Sequence, residues 1–295
     1  MKNKSLLLIH CAVLLFGFSG LFVKMIPMPA MILTLGRALF SSIALYIYCM
    51  YRHQSVHLER ARDYFWNVLA GVFLTIHWFF FILSIQVSKV SIGTITFATY
   101  PLFVVFMEPF AFKEKFQLKN LIMVILLSTG IGFLIPSFQL DNQNTLGIIY
   151  GFISSFSFAV LSVINRRLAS TYEGVVITFY EQIVAAVVMT LLITFVTPKF
   201  TPGTTLQFLE FIVYGVIFTA LAHSLYIQGL RDVKAQTASF ISGLEPVYSI
   251  LFAYLILNEG MTYQEILGSS IILITVLLSP LESLIQRTEK NEKIS

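Results

Sequence analysis

The sequence has 295 residues, of which 57% are hydrophobic and only 12% charged, and its mean hydropathy is +0.83. A soluble domain carries about a quarter charged residues, so this composition excludes a water-soluble fold. The formal net charge of +4 is small and scattered along the chain, which argues against nucleic acid as a partner.

Ten apolar segments follow one another along the chain, and each is long enough to cross a bilayer. Backbone groups in lipid must be hydrogen-bonded within the segment, so each is predicted to be a transmembrane α-helix. The first segment resembles a signal peptide, but it has no small-residue cleavage site and further spans follow, so we interpret it as a helix. The predicted spans 1 to 10 are 5–24, 29–51, 64–86, 90–112, 118–136, 145–165, 175–197, 207–229, 235–257 and 262–285.

The connectors between these spans are short, and no linker indicates a separate soluble domain. Cys11 and Cys49 lie in apolar runs, so they are interpreted as small hydrophobic residues without a disulfide framework.

Lysine and arginine are distributed unequally between the two faces, which predicts the orientation in the membrane. With both termini in the cytoplasm, only Lys24, Lys89 and Lys199 lie outside, and Arg37 lies within a span. The remaining basic residues are all inside, namely Lys2, Lys4, Arg52, Arg60, Arg62, Lys113, Lys115, Lys119, Arg166, Arg167, Arg231, Lys234, Arg287, Lys290 and Lys293.

The sequence contains an internal repeat. Residues Lys89–Pro101 align with Lys234–Pro246 at an offset of 145, and the same offset pairs Glu114 with Glu259. Five spans separate the copies, so the second copy enters the membrane from the opposite face, as in many secondary transporters. The predicted fold is therefore all-α, with ten transmembrane helices arranged as two inverted five-helix repeats. The predicted units are residues 1–140, residues 141–286 and a cytoplasmic tail, 287–295.

Two motifs resemble those of the drug/metabolite transporter superfamily, specifically its EamA-like ten-helix carriers. They are Tyr100-Pro101 followed by Glu114, and Glu245-Pro246 followed by Glu259. Phe16-Gly17 stands where members of that family often have Trp-Gly. The resemblance implies two five-helix halves, a central cavity lined by spans 1, 3, 4, 6, 8 and 9, and alternating access. Many members export amino acids or related metabolites, and others import nutrients.

Glu245 is the strongest candidate for a binding residue, since ionisable groups at bilayer depth are costly and often functional. It lies about eleven residues into span 9, roughly mid-bilayer at 1.5 Å per residue, and Tyr100 is its partner in the repeat. Pro101 and Pro246 each remove a helix donor and free a carbonyl. Such groups suit a solute with an ammonium group. The alternative is a structural glutamate held between packed helices.

Further candidates lie in spans 3, 8 and 9. His77 and Trp78 are mid-span, and Trp78 roughly matches His223 in the repeat. Histidine titrates near neutral pH, so coupling to protons is one alternative, and simple packing is another. Aromatic residues could form a box around a cation. The predicted substrate-binding residues are Tyr100, Glu245, His77, Trp78, Tyr226, Phe240, Ser242 and His223.

A second group of residues is predicted to be structural or to act in gating. The repeat pairs Arg37 with Glu181, but these residues enter from opposite faces and are not expected to contact each other. Spans 2 and 7 are peripheral in the resembled fold, which favours a structural or gating role. Glu108 is expected to neutralise Lys113 or Lys115. The predicted structural or gating residues are Arg37, Glu181, Pro101, Pro246, Glu114 and Glu259.

The sequence thus predicts a secondary transporter that moves an amino acid or amine-type metabolite, by export, across the cell (inner or plasma) membrane. The expected partners are the small-molecule substrate, membrane lipid and, if transport is coupled, protons, and the protein is expected to be a monomer or homodimer. No metal, cofactor or enzymatic activity is expected, because no zinc-protease, serine-hydrolase or P-loop motif occurs. An intramembrane enzyme and a haem or redox protein, with His10, His77 and His223 as ligands, are the alternatives.

Overall fold

The computed structural model describes residues 2–116, 118–134, 143–196 and 204–257, and isolated residues between 263 and 275. The described residues form helices and short connections, with no strand among them. A π-helical segment, Val216–Leu221, joins α9 to α10. The α-helices are α1 (Lys2–Met25), α2 (Ala30–Tyr51), α3 (Ala61–Val87), α4 (Val90–Phe97), α5 (Tyr100–Phe112), α6 (Leu118–Leu134), α7 (Gln143–Leu168), α8 (Gly174–Val196), α9 (Thr205–Gly215), α10 (Ala222–Gly229), α11 (Ala235–Ser242) and α12 (Glu245–Leu257).

Eight helical stretches are long and apolar enough to cross a membrane. They correspond to predicted spans 1 to 4 and 6 to 9, and the shorter helix α6 occupies span 5. Predicted span 10 lies largely outside the described residues. The protein is therefore an all-α integral membrane protein.

Two of the predicted spans are broken in the middle. Span 4 divides into α4 and α5, and span 9 divides into α11 and α12. Each break contains a tight turn, in which Thr99 N donates to Thr96 O at 3.2 Å and Leu244 N donates to Ile241 O at 3.0 Å. The two breaks lie 145 residues apart, at the offset of the sequence repeat.

Proline explains both breaks. Pro101 and Pro246 each occupy the second position of the helix that follows the turn. Because proline has no N–H, the carbonyls four residues earlier, on Phe97 and Ser242, lose their helical partners. The sequence predicted continuous helices here, and the structure corrects that expectation.

The eighth span changes its winding at the π-helical segment. The hydroxyl of Thr219 donates to Tyr214 O at 2.8 Å, five residues back along the chain. Single π-helical turns often occur at functional sites. This one rotates Thr219 and Ala220 into the bundle, where both are buried.

The first and second parts of the chain form one packed bundle. Helix α3 packs mainly on α7, α2 on α8, and α1 on both α10 and α12. Gly17 lies at the crossing of α1 and α12, where an added Cβ would be 2.6 Å from Tyr248 Cβ. Ser249 donates its hydroxyl to Gly17 O at 3.0 Å across the same crossing. The centre of the bundle is therefore lined from both parts of the chain.

The close crossing at Gly17 generates a stability prediction. We expect Gly17→Ala to push α1 away from α12 and to cost about 1–3 kcal/mol, as overpacking does. Gly132→Ala is the matched control, because an added Cβ there meets nothing within 4 Å. Thermal unfolding of the purified protein in detergent measures both variants. Equal melting temperatures for the two variants would contradict the assigned crossing.

Candidate functional site at the centre of the bundle

A small cavity lies at the centre of the bundle, beside the break between α11 and α12. Its volume is about 20 Å³, which is room for roughly one water molecule. Its walls come from seven helices, α1, α2, α3, α4, α7, α10 and α12. The lining residues are Phe16, Ser19, Arg37, His77, Trp78, Phe81, Phe97, Phe158, His223 and Glu245.

Arg37 supplies the positive charge of this cavity. Its guanidinium carbon is 3.9 Å from the Trp78 ring centroid and 4.5 Å from that of Tyr214. Its Nε donates to Thr219 Oγ1 at 3.1 Å, and Nη1 donates to Tyr214 Oη at 2.9 Å. All four contacts are with neutral groups, so cation–π and hydrogen-bond interactions hold the guanidinium, which forms no ion pair within the described residues. The sequence placed Arg37 in a peripheral span, but its side chain reaches the cavity.

Glu245 supplies a carboxyl group to the same cavity. It is the first residue of α12 and is only 3% exposed. Within the described part of the chain, its carboxylate forms no ion pair and accepts no hydrogen bond. Arg37 and Glu245 thus line one cavity without contacting each other.

Both cavity histidines are held by polar partners. His223 Nε2 lies 2.8 Å from Glu181 Oε2, and both residues are buried. The other carboxylate oxygen of Glu181 has no partner among the described residues. His77 Nδ1 lies 2.7 Å from Ser154 Oγ. Glu181 therefore pairs with histidine, and Arg37 and Glu181 do not pair with each other.

The predicted binding residues divide into two groups. Four of them line the cavity, namely His77, Trp78, His223 and Glu245. Tyr100 and Tyr226 are fully buried beside it, and their hydroxyls lie 3.3 Å apart. Phe240 is packed in the core, and Ser242 donates to Ala238 O at 3.1 Å. Pro101 and Pro246 lie at the breaks, and Glu259 falls outside the described residues.

The sequence prediction missed part of the aromatic lining. Phe16 and Phe158 face the cavity, and Phe97 stacks on Tyr100 with ring centroids 5.2 Å apart. An offset of 142 residues pairs Phe16 with Phe158 in the repeat, and that pairing could have identified both residues. The offset of 145 likewise pairs Phe81 with Tyr226, whereas it pairs Phe97 with Ser242, so Phe97 carried no comparable pattern.

A second polar cluster closes one face of the bundle, which we call the basic face and define by Arg166 and Lys234. Glu108 is fully buried there. Its Oε1 accepts from Arg166 Nη1 at 2.6 Å and from Ala235 N at 2.7 Å, and its Oε2 accepts from Gln236 N at 2.9 Å. One carboxylate therefore joins α5 to α7 and caps the N-terminus of α11. The expected pairing of Glu108 with Lys113 or Lys115 is wrong, because its side chain points inward.

Glu114 extends this cluster at the surface. It accepts from Arg166 Nη2 at 2.8 Å and also from Lys234 Nζ. Partial burial alone would raise the pKa of Glu114, but the bonds from Lys234 and Arg166 outweigh it and lower the pKa. The carboxylate therefore stays ionised at neutral pH and holds both cations at the basic face.

Removing the buried carboxylate tests its role as the link. Glu108→Gln removes one of the two carboxylates that bind Arg166 and leaves it paired with Glu114, so the loss is that of a charged hydrogen bond, about 1.5–3 kcal/mol. We expect faster hydrogen exchange at the start of α11 and a lower melting temperature. Lys113→Gln is the control, because Lys113 is exposed and lies outside the network. Equal exchange protection of α11 in both variants would rule out this assignment.

The lowered pKa of Glu114 predicts a particular pH dependence. A carboxylate with a depressed folded-state pKa contributes stability above its ordinary pKa, and this is lost only as pH falls through the lower folded value. The melting-temperature difference between wild type and Glu114→Gln should thus stay constant from neutral pH down to the ordinary pKa of 4.5, and shrink only below it. A difference that already shrinks between neutral pH and that value would contradict the pairing with Lys234 and Arg166.

Several proteins of similar sequence are named as transporters. An uncharacterized transporter of Archaeoglobus fulgidus is 24% identical over 90% of this chain and 92% of its own length. The uncharacterized inner membrane transporter YicL of Salmonella typhimurium is 26% identical, over 95% of this chain and 96% of its own. The riboflavin transporter ImpX of Fusobacterium nucleatum is 21% identical, over 65% of this chain and 67% of its own.

A solved crystal structure shares the fold, with a TM-score of 0.80 at 18% identity over 98% of this chain and all of the matched chain. The sequence model of the EamA-like transporter family matches residues 3–135 and again residues 145–280. These two matches account for most of the chain. The protein therefore belongs to the EamA-like transporter family and is a multi-pass membrane transporter.

Proposed function

We propose that the protein exports a small zwitterionic metabolite of the amino-acid type by alternating access. The observation that carries this proposal is the pair Arg37 and Glu245, which line one cavity with opposite charges and do not contact each other. An α-carboxylate would bind Arg37, and an α-ammonium group would bind Glu245.

The electrostatics of a membrane interior favour such a solute. A charged side chain at bilayer depth is costly unless it is paired. The aromatic and hydroxyl partners of Arg37 leave its formal charge uncompensated. A zwitterion would neutralise both side chains at once through charge-assisted hydrogen bonds. A solute with only one charge would leave the other side chain uncompensated.

The size of the cavity supports a moving carrier. At about 20 Å³ it is far smaller than a small-molecule pocket of roughly 300–1,000 Å³. A solute needs the helices around Arg37 and Glu245 to separate. Because the Glu108 network ties α5 to α7 and α11, this conformation is closed at the basic face, and opening there requires the network to break.

The arrangement in the membrane is part of the same proposal. The two matches of the family model and the two breaks 145 residues apart support ten spans in two inverted five-helix repeats, residues 1–140 and 141–286. The charge asymmetry supports a cytoplasmic basic face with both termini inside the cell. The relatives that are named transporters favour transport over an intramembrane enzyme or a haem protein.

Charge-deleted solutes and charge-deleted variants test the site together. Counterflow in proteoliposomes should exchange amino acids, and Arg37→Gln or Glu245→Gln should each weaken that exchange about 10–100-fold, as expected for a hydrogen bond between charged groups. Arg37→Gln should not further weaken exchange of amines that lack the carboxylate. Glu245→Gln should likewise spare N-acetylated amino acids, which lack the ammonium group.

The control and the contrary outcome are equally specific. Lys24→Gln removes a positive charge from the exposed end of α1 and should leave exchange unchanged. The proposed zwitterion site would be overturned if both cavity variants weakened the exchange of amino acids, amines and N-acetyl derivatives by the same factor. The same vesicles also test proton coupling. If Glu245→Gln abolishes uptake driven by a pH gradient but retains counterflow of N-acetyl derivatives, proton coupling is assigned to Glu245.

A further inference from the structure

A second and much larger cavity lies near the basic face, and we call it the lateral groove. It is bounded by Leu8 of α1, Leu45 of α2 and Leu225 of α10, and its volume is about 720 Å³. It shares no lining residue with the central cavity. Its size is that of a site for an organic ligand.

The residues that line the groove differ between its two ends. Tyr48 and Leu221 form an apolar edge that is 47% and 48% exposed, within spans that face lipid. The other end of the groove, which we call its mouth, lies near the basic face, where the first turn of α1, the start of α8 and the loop after α10 meet. That mouth carries two cations and two carboxylates, Lys4, Arg231, Glu173 and Asp232. A ligand of this groove therefore has an apolar body and a polar head at the membrane surface.

A buried hydroxyl inside the groove also points to a ligand. Ser224 lines the groove, is only 6% exposed, and its Oγ has no hydrogen-bond partner among the described residues. Buried polar groups are nearly always hydrogen-bonded, so an unpartnered one indicates a missing acceptor. An ester carbonyl of a bound molecule would supply it.

The length of the groove matches a lipid chain. Its lining residues on the eighth span run from Val216 to Gln228, a stretch that rises at most about 18 Å at the α-helical 1.5 Å per residue. One leaflet contributes about half of the 30 Å hydrocarbon core. The groove therefore extends from the membrane surface through the depth of a leaflet, where acyl chains lie.

The charges at the mouth select the head group. Lys4 and Arg231 are exposed and form no ion pair within the described residues. Asp232 accepts from Ser5 at 2.7 Å, and Glu173 accepts from Gln54 at 3.1 Å, so both carboxylates have neutral hydrogen-bond partners. A phosphate suits the two cations, and a primary ammonium group suits the two carboxylates.

We infer that the lateral groove binds a phospholipid whose head group carries both phosphate and a primary ammonium, with its acyl chain beside Leu8, Leu45 and Leu225. The bound lipid also contacts the π-helical segment through Ala220. The preceding residue, Thr219, holds Arg37 at the central cavity. A lipid in the groove therefore packs against the same turn of helix that orients Arg37.

Lipid retention by the purified full-length protein tests the inference. The protein is reconstituted into nanodiscs that contain equal amounts of phosphatidylethanolamine, phosphatidylcholine and phosphatidylglycerol. It is then released from the nanodiscs, and native mass spectrometry counts the lipids that remain bound to it. Phosphatidylethanolamine should be retained preferentially. Arg231→Gln and Glu173→Gln should each lower its apparent affinity about fivefold, as expected for one charge at the membrane surface.

A bulky residue inside the groove provides the matched pair. Ala44→Trp fills the groove, whereas Ile43→Trp, at an adjacent position that is 47% exposed and outside the lining, is the control. A photoactivatable phosphatidylethanolamine should label α1 and α10 in wild type and in Ile43→Trp, and should lose that labelling in Ala44→Trp. Size-exclusion chromatography checks that each variant is folded. If Ala44→Trp is not folded, the charge variants Arg231→Gln and Glu173→Gln at the exposed mouth provide the test instead.

Three results would overturn the inference. The first is labelling unchanged by Ala44→Trp, and the second is equal retention of all three lipids by wild type. The third is loss of counterflow in Ala44→Trp with lipid labelling intact, which would assign the groove to the transported solute. Lipid retention is measured without transport, so its result tests the lipid site independently of the proposed zwitterion site.

Discussion

Proline cannot donate a backbone hydrogen bond, and this constraint organises the centre of the molecule. At Pro101 and Pro246 it divides two membrane spans into half-helices, and each second half begins at mid-span. Glu245 consequently occupies the N-terminus of α12, where the helix dipole favours a negative charge. The same helix start faces α1 at Gly17, where close packing brings Phe16 and Ser19 to the cavity.

The buried ionisable groups are stabilised in different ways, and the differences separate structure from function. Glu108 is saturated by Arg166 and two backbone N–H groups, which is typical of a structural carboxylate. Glu181 has a histidine partner for one oxygen. Arg37 has only neutral partners, and Glu245 has no partner among the described residues. Arg37 and Glu245, which have the fewest charged partners, lie in the same cavity. This distinguishes the central cavity from the cluster at the basic face.

Hydropathy was enough to locate the spans that the structure describes, and counting residues placed Glu245 at mid-span. The rotation of a helix about its axis cannot be obtained in this way. Arg37 lines the cavity because α2 packs against α8 and the π-helical segment, a contact between residues far apart in sequence. The partner of Glu108 was missed for the same reason, since Arg166 lies 58 positions away whereas Lys113 is close in the chain. The π-helical segment has no sequence pattern that would have predicted it.

The carboxylate at the basic face has a consequence for the timing of the transport cycle. The sequence alignment that pairs Lys89 with Lys234 also pairs Glu108 with Ala253, so the second copy of the repeat has no carboxylate at that position. Under the proposed inverted arrangement, the two faces would therefore differ in the free energy needed to open them. Under the proposed alternating access, the rate of opening at the basic face would depend on how fast one glutamate releases one arginine and one helix end.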